Sequence, residues 1–345
     1  MKTKVLLFVL ICVLISCSDQ DATSKDPRKM QLLEGETMGT YFSLTYLDSS
    51  AIQLAPLLTE LLIEFNQAVS TYIDSSTISI FNQNDHIIVP LAGYFDEVFL
   101  LSLSVYEDTE GWFDPTVGQL VNYWGFGYTP KKVVTNPDSM IIDSLKNMVG
   151  LDNIKRKVIG DSVRYQKIKS GVELDFSAVA KGFAVDLVAE MLDQKGLKDH
   201  FIDIGGEIRA SGTTKYGYPW RSGIRDPSKK EVDVHMYLNL TDLSIATSGN
   251  YENYHIHPET GEKYAHTINP KTGYPEKNKL LSASVFSSSC GKADALATAF
   301  MASGLTKSKL LLDRLPEVDA YLIYTDETGS FKTYKTKKVD SLLTH

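Results

Sequence analysis

The chain has 345 residues, 43% of them apolar and 23% charged, and carries a formal net charge of −8. That length admits one large domain or two smaller ones, and the composition excludes collagen, coiled coil and a wholly disordered chain. The acidic balance argues against broad nucleic-acid binding, which needs a basic face. A dinucleotide ligand would have to be neutralised locally, by a metal or by a few placed lysines.

The first residues read as a targeting segment. Lys2 and Lys4 precede an apolar run over residues 5–15, too short for a membrane span of about 20 residues and suited to a signal-peptide core. The run ends in Leu14-Ile15-Ser16-Cys17, a lipobox pattern in which the Cys17 thiol receives lipid. Residues 1–16 are therefore expected to be a signal peptide, and cleavage there would take the net charge to −10 by removing two lysines and no acids. Cys290 would then be the only free thiol, so no disulfide can form within the mature chain. The polar residues 17–29 read as a lipidated tether, and one compact domain is expected over residues 30–340. The implied location is exported and lipid-anchored to a bacterial membrane, facing the periplasm. The inner membrane is preferred to the outer, although Ser18 after Cys17 leaves that choice open.

Within the domain, Leu54, Leu57, Leu58, Leu61, Leu62, Phe65 and Val69 recur at helical spacing, as do Phe95, Val98, Phe99, Leu103 and Tyr106. Asn136-Pro137 opens a short helix through Met148, with Gly150 just past its end. Val172, Leu174 and Phe176 alternate with Glu173 and Asp175, which predicts a strand with Asp175 on its open face. A helical stripe follows over residues 179–192. Residues 201–204 and 208–211 flank Gly205-Gly206 as a hairpin. Strands are expected at 234–240, 243–247, 281–287 and 320–324, and a small-residue helix at 293–302. Interleaved helices and strands with hairpins favour an α+β fold with mainly antiparallel sheets.

Four segments could carry chemistry. Asp294 and Thr298 are four apart, so a helix stacks a carboxylate and a hydroxyl on one face. Two hard oxygens suit magnesium, which takes few protein ligands and completes its octahedron with phosphate and water. By spacing alone, a capping acid and a packed threonine explain the pair more simply. Lys181 falls in the first turn of a helix, a usual place for a phosphate, where a cation opposes the dipole unless an anion binds. A solvated lysine is an equal reading. Trp112, Phe113 and Asp114 beside Gly111 and Gly118 could wall a flat ring system, although on physics alone plain core packing is the stronger reading. His266 could move a proton near neutral pH, and a hydrogen-bonded structural role is the plainer alternative. His255 and His257 read as surface residues.

Taken in order, Met38-Gly39-Thr40, Ser70-Thr71-Tyr72, 113–118, 124–127, 175–186, 204–207, 246–251, 266–274 and 293–298 resemble the ApbE family of FAD:protein FMN transferases. The resemblance covers almost the whole mature chain. It implies an ApbE-like, T-fold-like compact unit that binds FAD as substrate, uses Mg2+ and transfers FMN to a threonine or serine hydroxyl of a target protein, releasing AMP. The implied acceptors are flavin-carrying subunits of membrane redox complexes or other exported flavoproteins. Carried over by position, Asp294, Thr298 and the carbonyl of Ala178 would hold the metal. Met38, Tyr72, Trp112, Phe113, Asp114, Asp175, Lys181 and Ile268 would contact FAD, and His266 and Asp294 would serve catalysis. Asn269 stands where many relatives have aspartate, and Asn250 where many have aspartate or an equivalent polar residue. A pyrophosphatase giving FMN and AMP, and a non-catalytic FAD-binding lipoprotein, are the alternatives.

Overall fold

The structure is a computed structural model, and it describes residues 26–50, 52–129, 134–225, 227, 234–250, 254–256, 258, 259, 261 and 263–343. The expected signal peptide, Cys17 and most of the tether lie outside the described residues, as do Tyr251 and His257.

The domain opens on two paired strands, β1 (Lys29–Thr37) and β2 (Thr40–Asp48). Strand β1 begins one residue before the expected boundary, because Arg28 is held by Asp26 and, across the sheet end, by Asp199 at 2.7 Å. Then come α1 (Leu54–Val69), α2 (Thr77–Gln83), β3 (His86–Pro90), α3 (Tyr94–Asp108), α4 (Gly118–Tyr123) and α5 (Ser139–Lys146). Helix α5 starts later than Asn136-Pro137 suggests, since Asp138 caps it by accepting from the N–H groups of Met140 and Ile141. The chain continues through β4 (Ile154–Ile159), β5 (Ser162–Lys167), α6 (Ala180–Gln194), β6 (His200–Ile204) and β7 (Glu207–Ser211). It ends with β8 (Trp220–Arg225), β9 (Val234–Leu240), β10 (Leu243–Gly249), β11 (Tyr254–Ile256), β12 (Lys263–Ala265), β13 (Leu280–Ser287), α7 (Cys290–Leu312), β14 (Asp319–Thr325) and β15 (Phe331–Lys335).

Eight strands form the central antiparallel sheet in the order β1-β2-β6-β7-β10-β13-β14-β15. The sheet is covered on both faces, and strand alternation shows how. On β14, Ala320 and Leu322 join the large core with α1, α3, α6 and α7, while Tyr321 and Ile323 join a smaller core built on the β8–β9 hairpin. This is the expected α+β fold with antiparallel sheets.

One expected strand is absent. Residues 172–176 keep the anticipated burial alternation but pair with no strand. The side chain of Asn82 takes the place of a neighbouring strand: its Oδ1 accepts from the Leu174 N–H and its Nδ2 donates to the Leu174 carbonyl, both at 2.8 Å. Both backbone groups of Leu174 are thus satisfied by one amide side chain.

Helices α6 and α7 cross closely in the large core. A Cβ on Gly182 would lie 2.3 Å from the Cys290 carbonyl oxygen, and one on Gly291 would lie 3.2 Å from the Phe183 backbone. Asp186 on α6 fastens the crossing. Its carboxylate accepts from the Ser289 hydroxyl and from the N–H groups of Cys290 and Gly291, at 2.8–2.9 Å, while Arg209 neutralises it. Anionic capping of this kind favours the start of α7 through its dipole. The helix is broken at Gly304, whose φ of 74° and ψ of 173° lie outside helical space. The helix expected at 293–302 is the segment before that break.

Candidate active site

A cleft of about 430 Å³ lies where α6, α7, β7 and β10 meet the loops after α3 and β12. Tyr72, Trp112, Phe113, Asp114, Asp175, Ala178, Lys181, His266, Ile268, Asp294 and Thr298 all line it. Residues from opposite ends of the sequence therefore converge as the resemblance implies. Met38 is the exception. It packs against the large core at the β1–β2 turn, with a φ of 51°, and is not among the lining residues. The strand that follows it nevertheless reaches the cleft wall, since the Gly205 N–H bonds the Tyr41 carbonyl of β2 and Gly205 lines the cavity.

At the base of the cleft, Asp294 and Thr298 sit one turn apart on α7. Asp294 does not cap the helix: that place belongs to Ser289, whose hydroxyl accepts from the Lys292 N–H. Instead Asp294 Oδ2 accepts from the Gly182 N–H at 3.0 Å. In a regular helix start, that N–H would bond to the carbonyl of Ala178. The carbonyl is consequently left without a backbone donor among the described residues. Asp294 Oδ1 likewise has no hydrogen-bond partner among them. The Thr298 hydroxyl meets that of Ser248 at 3.3 Å.

Lys181, expected to meet an anion at the helix start, lies beside carboxylates of the protein itself. Its ammonium is 2.7 Å from Glu207 and 4.0 Å from Asp294. Burial alone would lower its pKa, but the charges of Asp294 and Glu207 outweigh that and hold the ammonium above its ordinary range. Carboxylates of the protein itself thus offset the unfavourable helix dipole. Glu207 is 4% exposed, and burial pushes its carboxyl up, while the Lys181 ammonium in contact with it opposes that shift and Asp294 adds to it. Two carboxylates share one lysine, so the buried site is short of positive charge.

These observations fit a hard cation. Among the described residues no cluster of three or more His, Cys, Asp or Glu side chains is arranged as a metal site. The donors here are mixed instead: one carboxylate oxygen, one hydroxyl and one carbonyl. That small, all-oxygen set suits magnesium, which leaves most of its positions to phosphate and water.

The upper wall is aromatic. Tyr72 stands at the mouth, 70% exposed, edge-on to Tyr128 at 6.3 Å. Phe113 is buried, with its N–H bonded to the Thr109 hydroxyl. Asp114 is buried beside it and accepts twice from Thr116 at 2.6 and 2.9 Å, yet burial still pushes its carboxyl up to about 6. The Pro115 carbonyl accepts from the Asp175 N–H at 2.7 Å, so the aromatic wall and the segment leading to α6 run side by side. Asp175 in turn holds Ser177 through its N–H and hydroxyl.

His266 and Ile268 come from a loop clamped at several points. Trp124 donates its indole N–H to the Gly273 carbonyl at 2.9 Å, and Lys271 reaches the Glu110 carbonyl at 2.7 Å. Asn269 accepts from the N–H groups of Lys271 and Thr272, and Asn250 accepts from the Thr267 hydroxyl. The two asparagines therefore brace the loop and stand outside the candidate metal set. His266 lies edge-on to Phe126 at 6.4 Å. His255, read as a surface residue, is half-buried and stacks on Phe126 at 4.2 Å.

Glu207 escaped the assignment of roles from sequence. The available signal was an acid directly after Gly205-Gly206, at the first position of a strand whose alternate residues are buried.

Comparison with known proteins agrees with this geometry. The family model described as "ApbE family" matches residues 38–322. The chain is 34% identical to the FAD:protein FMN transferase of Haemophilus influenzae, over 89% of this chain and 90% of the relative. It is 32% identical to that of Vibrio cholerae, over 92% and 96%. Among solved structures it resembles the flavin transferase ApbE from Vibrio cholerae, with a TM-score of 0.80 and 30% identity, over 92% of this chain and all of that one. The apo flavinyl transferase ApbE of Pseudomonas stutzeri gives a TM-score of 0.80 at 29% identity, over 92% and 97%.

Proposed function

The chain belongs to the ApbE family, and from that premise we propose that it is a magnesium-dependent FAD:protein FMN transferase that releases AMP. The observation that carries the reading is the pairing, in one cleft, of the donor set Asp294, Thr298 and the Ala178 carbonyl with an aromatic wall of Tyr72, Trp112 and Phe113. The reading extends to an exported enzyme, lipidated at Cys17 and facing the periplasm, whose acceptor is a flavin-carrying subunit of a membrane redox complex or another exported flavoprotein.

FAD lies with its ring system against Tyr72, Trp112 and Phe113 and its diphosphate toward Lys181. Ile268 closes the apolar side, while Asp114, buried in the wall, and Asp175 offer acceptors. A serine or threonine oxygen of the acceptor attacks the FMN-side phosphorus. The bond from that phosphorus to the bridging oxygen breaks, and AMP leaves with the bridging oxygen. The hydroxyl proton passes to His266 or to a nearby carboxylate. A magnesium ion on Asp294, Thr298 and the Ala178 carbonyl would supply Lewis-acid stabilisation of the charge developing on the phosphoryl oxygens. Lys181 holds the diphosphate in line with the incoming oxygen, which is where most of the positioning gain arises.

The test is to mix the mature protein with FAD, magnesium and a candidate acceptor subunit, and to weigh the subunit by mass spectrometry. A gain of one phosphoflavin is expected. Free FMN formed equally fast with and without the acceptor would instead establish a pyrophosphatase, and FAD binding with neither product would establish a storage protein.

A further inference from the structure

Lys181 has two carboxylates within reach and is bonded to only one. Its ammonium sits 2.7 Å from Glu207 Oε1 and 4.0 Å from Asp294 Oδ2. Glu207 is buried, is fixed at the first position of β7, and has no part in the donor set argued above. Asp294 Oδ2 is instead engaged by the Gly182 N–H, which leaves Oδ1 open.

We infer that Glu207 is a positioning residue that draws the Lys181 ammonium away from Asp294 and so keeps the Asp294 carboxylate available to a divalent cation. This rests on the reading of Asp294 as a cation ligand and adds to it a residue outside the ligand set.

The physical reason is competition. In a buried site a lysine and a carboxylate only 4.0 Å apart attract strongly. Without a second anion, the flexible lysine stem would let the ammonium close on Asp294 and form a contact ion pair. A cation would then have to break that pair before binding. Glu207 supplies the second anion from a rigid strand. Its bond also aims the ammonium along the cleft floor, where it can meet a diphosphate.

The experiment is a double-mutant cycle read by Mn2+ binding to the purified protein, followed by electron paramagnetic resonance without FAD. Glu207→Gln keeps the side-chain volume and removes the charge. It is expected to weaken Mn2+ binding about tenfold when Lys181 is present. In a Lys181→Met background, where no ammonium can close on Asp294, the same change is expected to cost no more than about threefold. Equal losses in both backgrounds would mean that Glu207 acts only through its charge, and they would overturn the inference, as would no loss at all. A crystal structure of cation-free Glu207→Gln gives an independent reading. The ammonium should move into contact with Asp294, and an unchanged separation overturns the proposal. The underlying site assignment fails separately: it falls if Asp294→Ala binds Mn2+ as tightly as the unaltered protein.

Discussion

Gly182 and Cys290 approach so closely that a methyl group on Gly182 would lie 2.3 Å from the Cys290 carbonyl oxygen and 2.8 Å from Asp294 Cβ. Neither contact can relax cheaply, because one partner is helix backbone and the other is a short buried side chain. The α6–α7 crossing that places Lys181 beside Asp294 thus depends on a residue without a side chain. Gly182→Ala is expected to destabilise the fold by about 1–3 kcal/mol and to abolish FMN transfer. Urea denaturation alongside the mass assay checks both, and a stable, active Gly182→Ala protein would refute the argument.

Asp294 lines the cleft while its Oδ2 is held by the Gly182 N–H. Asp294→Ala is expected to lower transfer at least about a hundredfold and to erase the response to magnesium. Thr298→Val, which removes a hydroxyl but keeps the shape, should raise the magnesium concentration needed for half-maximal transfer. A magnesium titration of each variant decides the matter.

Tyr72 is 70% exposed and packs against little besides Tyr128. Its place at the cleft mouth is therefore hard to explain by stability. Tyr72→Ala should leave stability within about 0.5 kcal/mol of the original and weaken FAD binding about three- to tenfold through lost stacking. Quenching of flavin fluorescence measures the second effect, and unaltered affinity would remove Tyr72 from the binding wall.

Asp114 carries a pH signature. Burial raises its carboxyl from 3.8 to about 6 in the folded chain. A raised pKa means that the folded state binds the proton more tightly than the unfolded one. The associated stability is present below pH 3.8 and is lost as pH rises through 6. Asp114→Asn stays neutral throughout. The stability gap in favour of Asp114→Asn should therefore widen by about 2.4 kcal/mol between pH 4 and pH 8. Urea midpoints at the two pH values test this, and a constant gap would contradict it.

Cys17 tests location. With Cys17→Ala the protein should move from the membrane pellet to the soluble periplasmic fraction while retaining FMN transfer. Retention in the pellet would show that something other than a lipid holds it there.

The local sequence determined the helices and several strands. The leucine stripe of α1 sits at 3.6-residue spacing and buries Leu54, Leu58, Leu62, Phe65 and Val69 as expected, and the paired glycines between Ile204 and Glu207 require a tight turn. Such patterns act over one or two turns, so they survive without knowledge of the rest of the chain. The pair β1–β2 was not legible, because β1 is exposed over its first four residues and alternates in burial only from Leu33 to Thr37. Residues 172–176 read as a strand because their burial alternates. Only the tertiary structure supplied the Asn82 side chain that satisfies Leu174 in place of a second strand.

The chemistry divides the same way. Asp294 and Thr298 share a face by helical period alone, and the ordered motifs pointed to one family. Neither the spacing nor the motifs assigned a role to Glu207, nor could they show that the Gly182 N–H turns from Ala178 to Asp294. Those relations span roughly a hundred residues or depend on which of two carboxylates lies nearer one ammonium. Periodicity carries no information at that range, and only the packing of α6, α7 and β7 decides it.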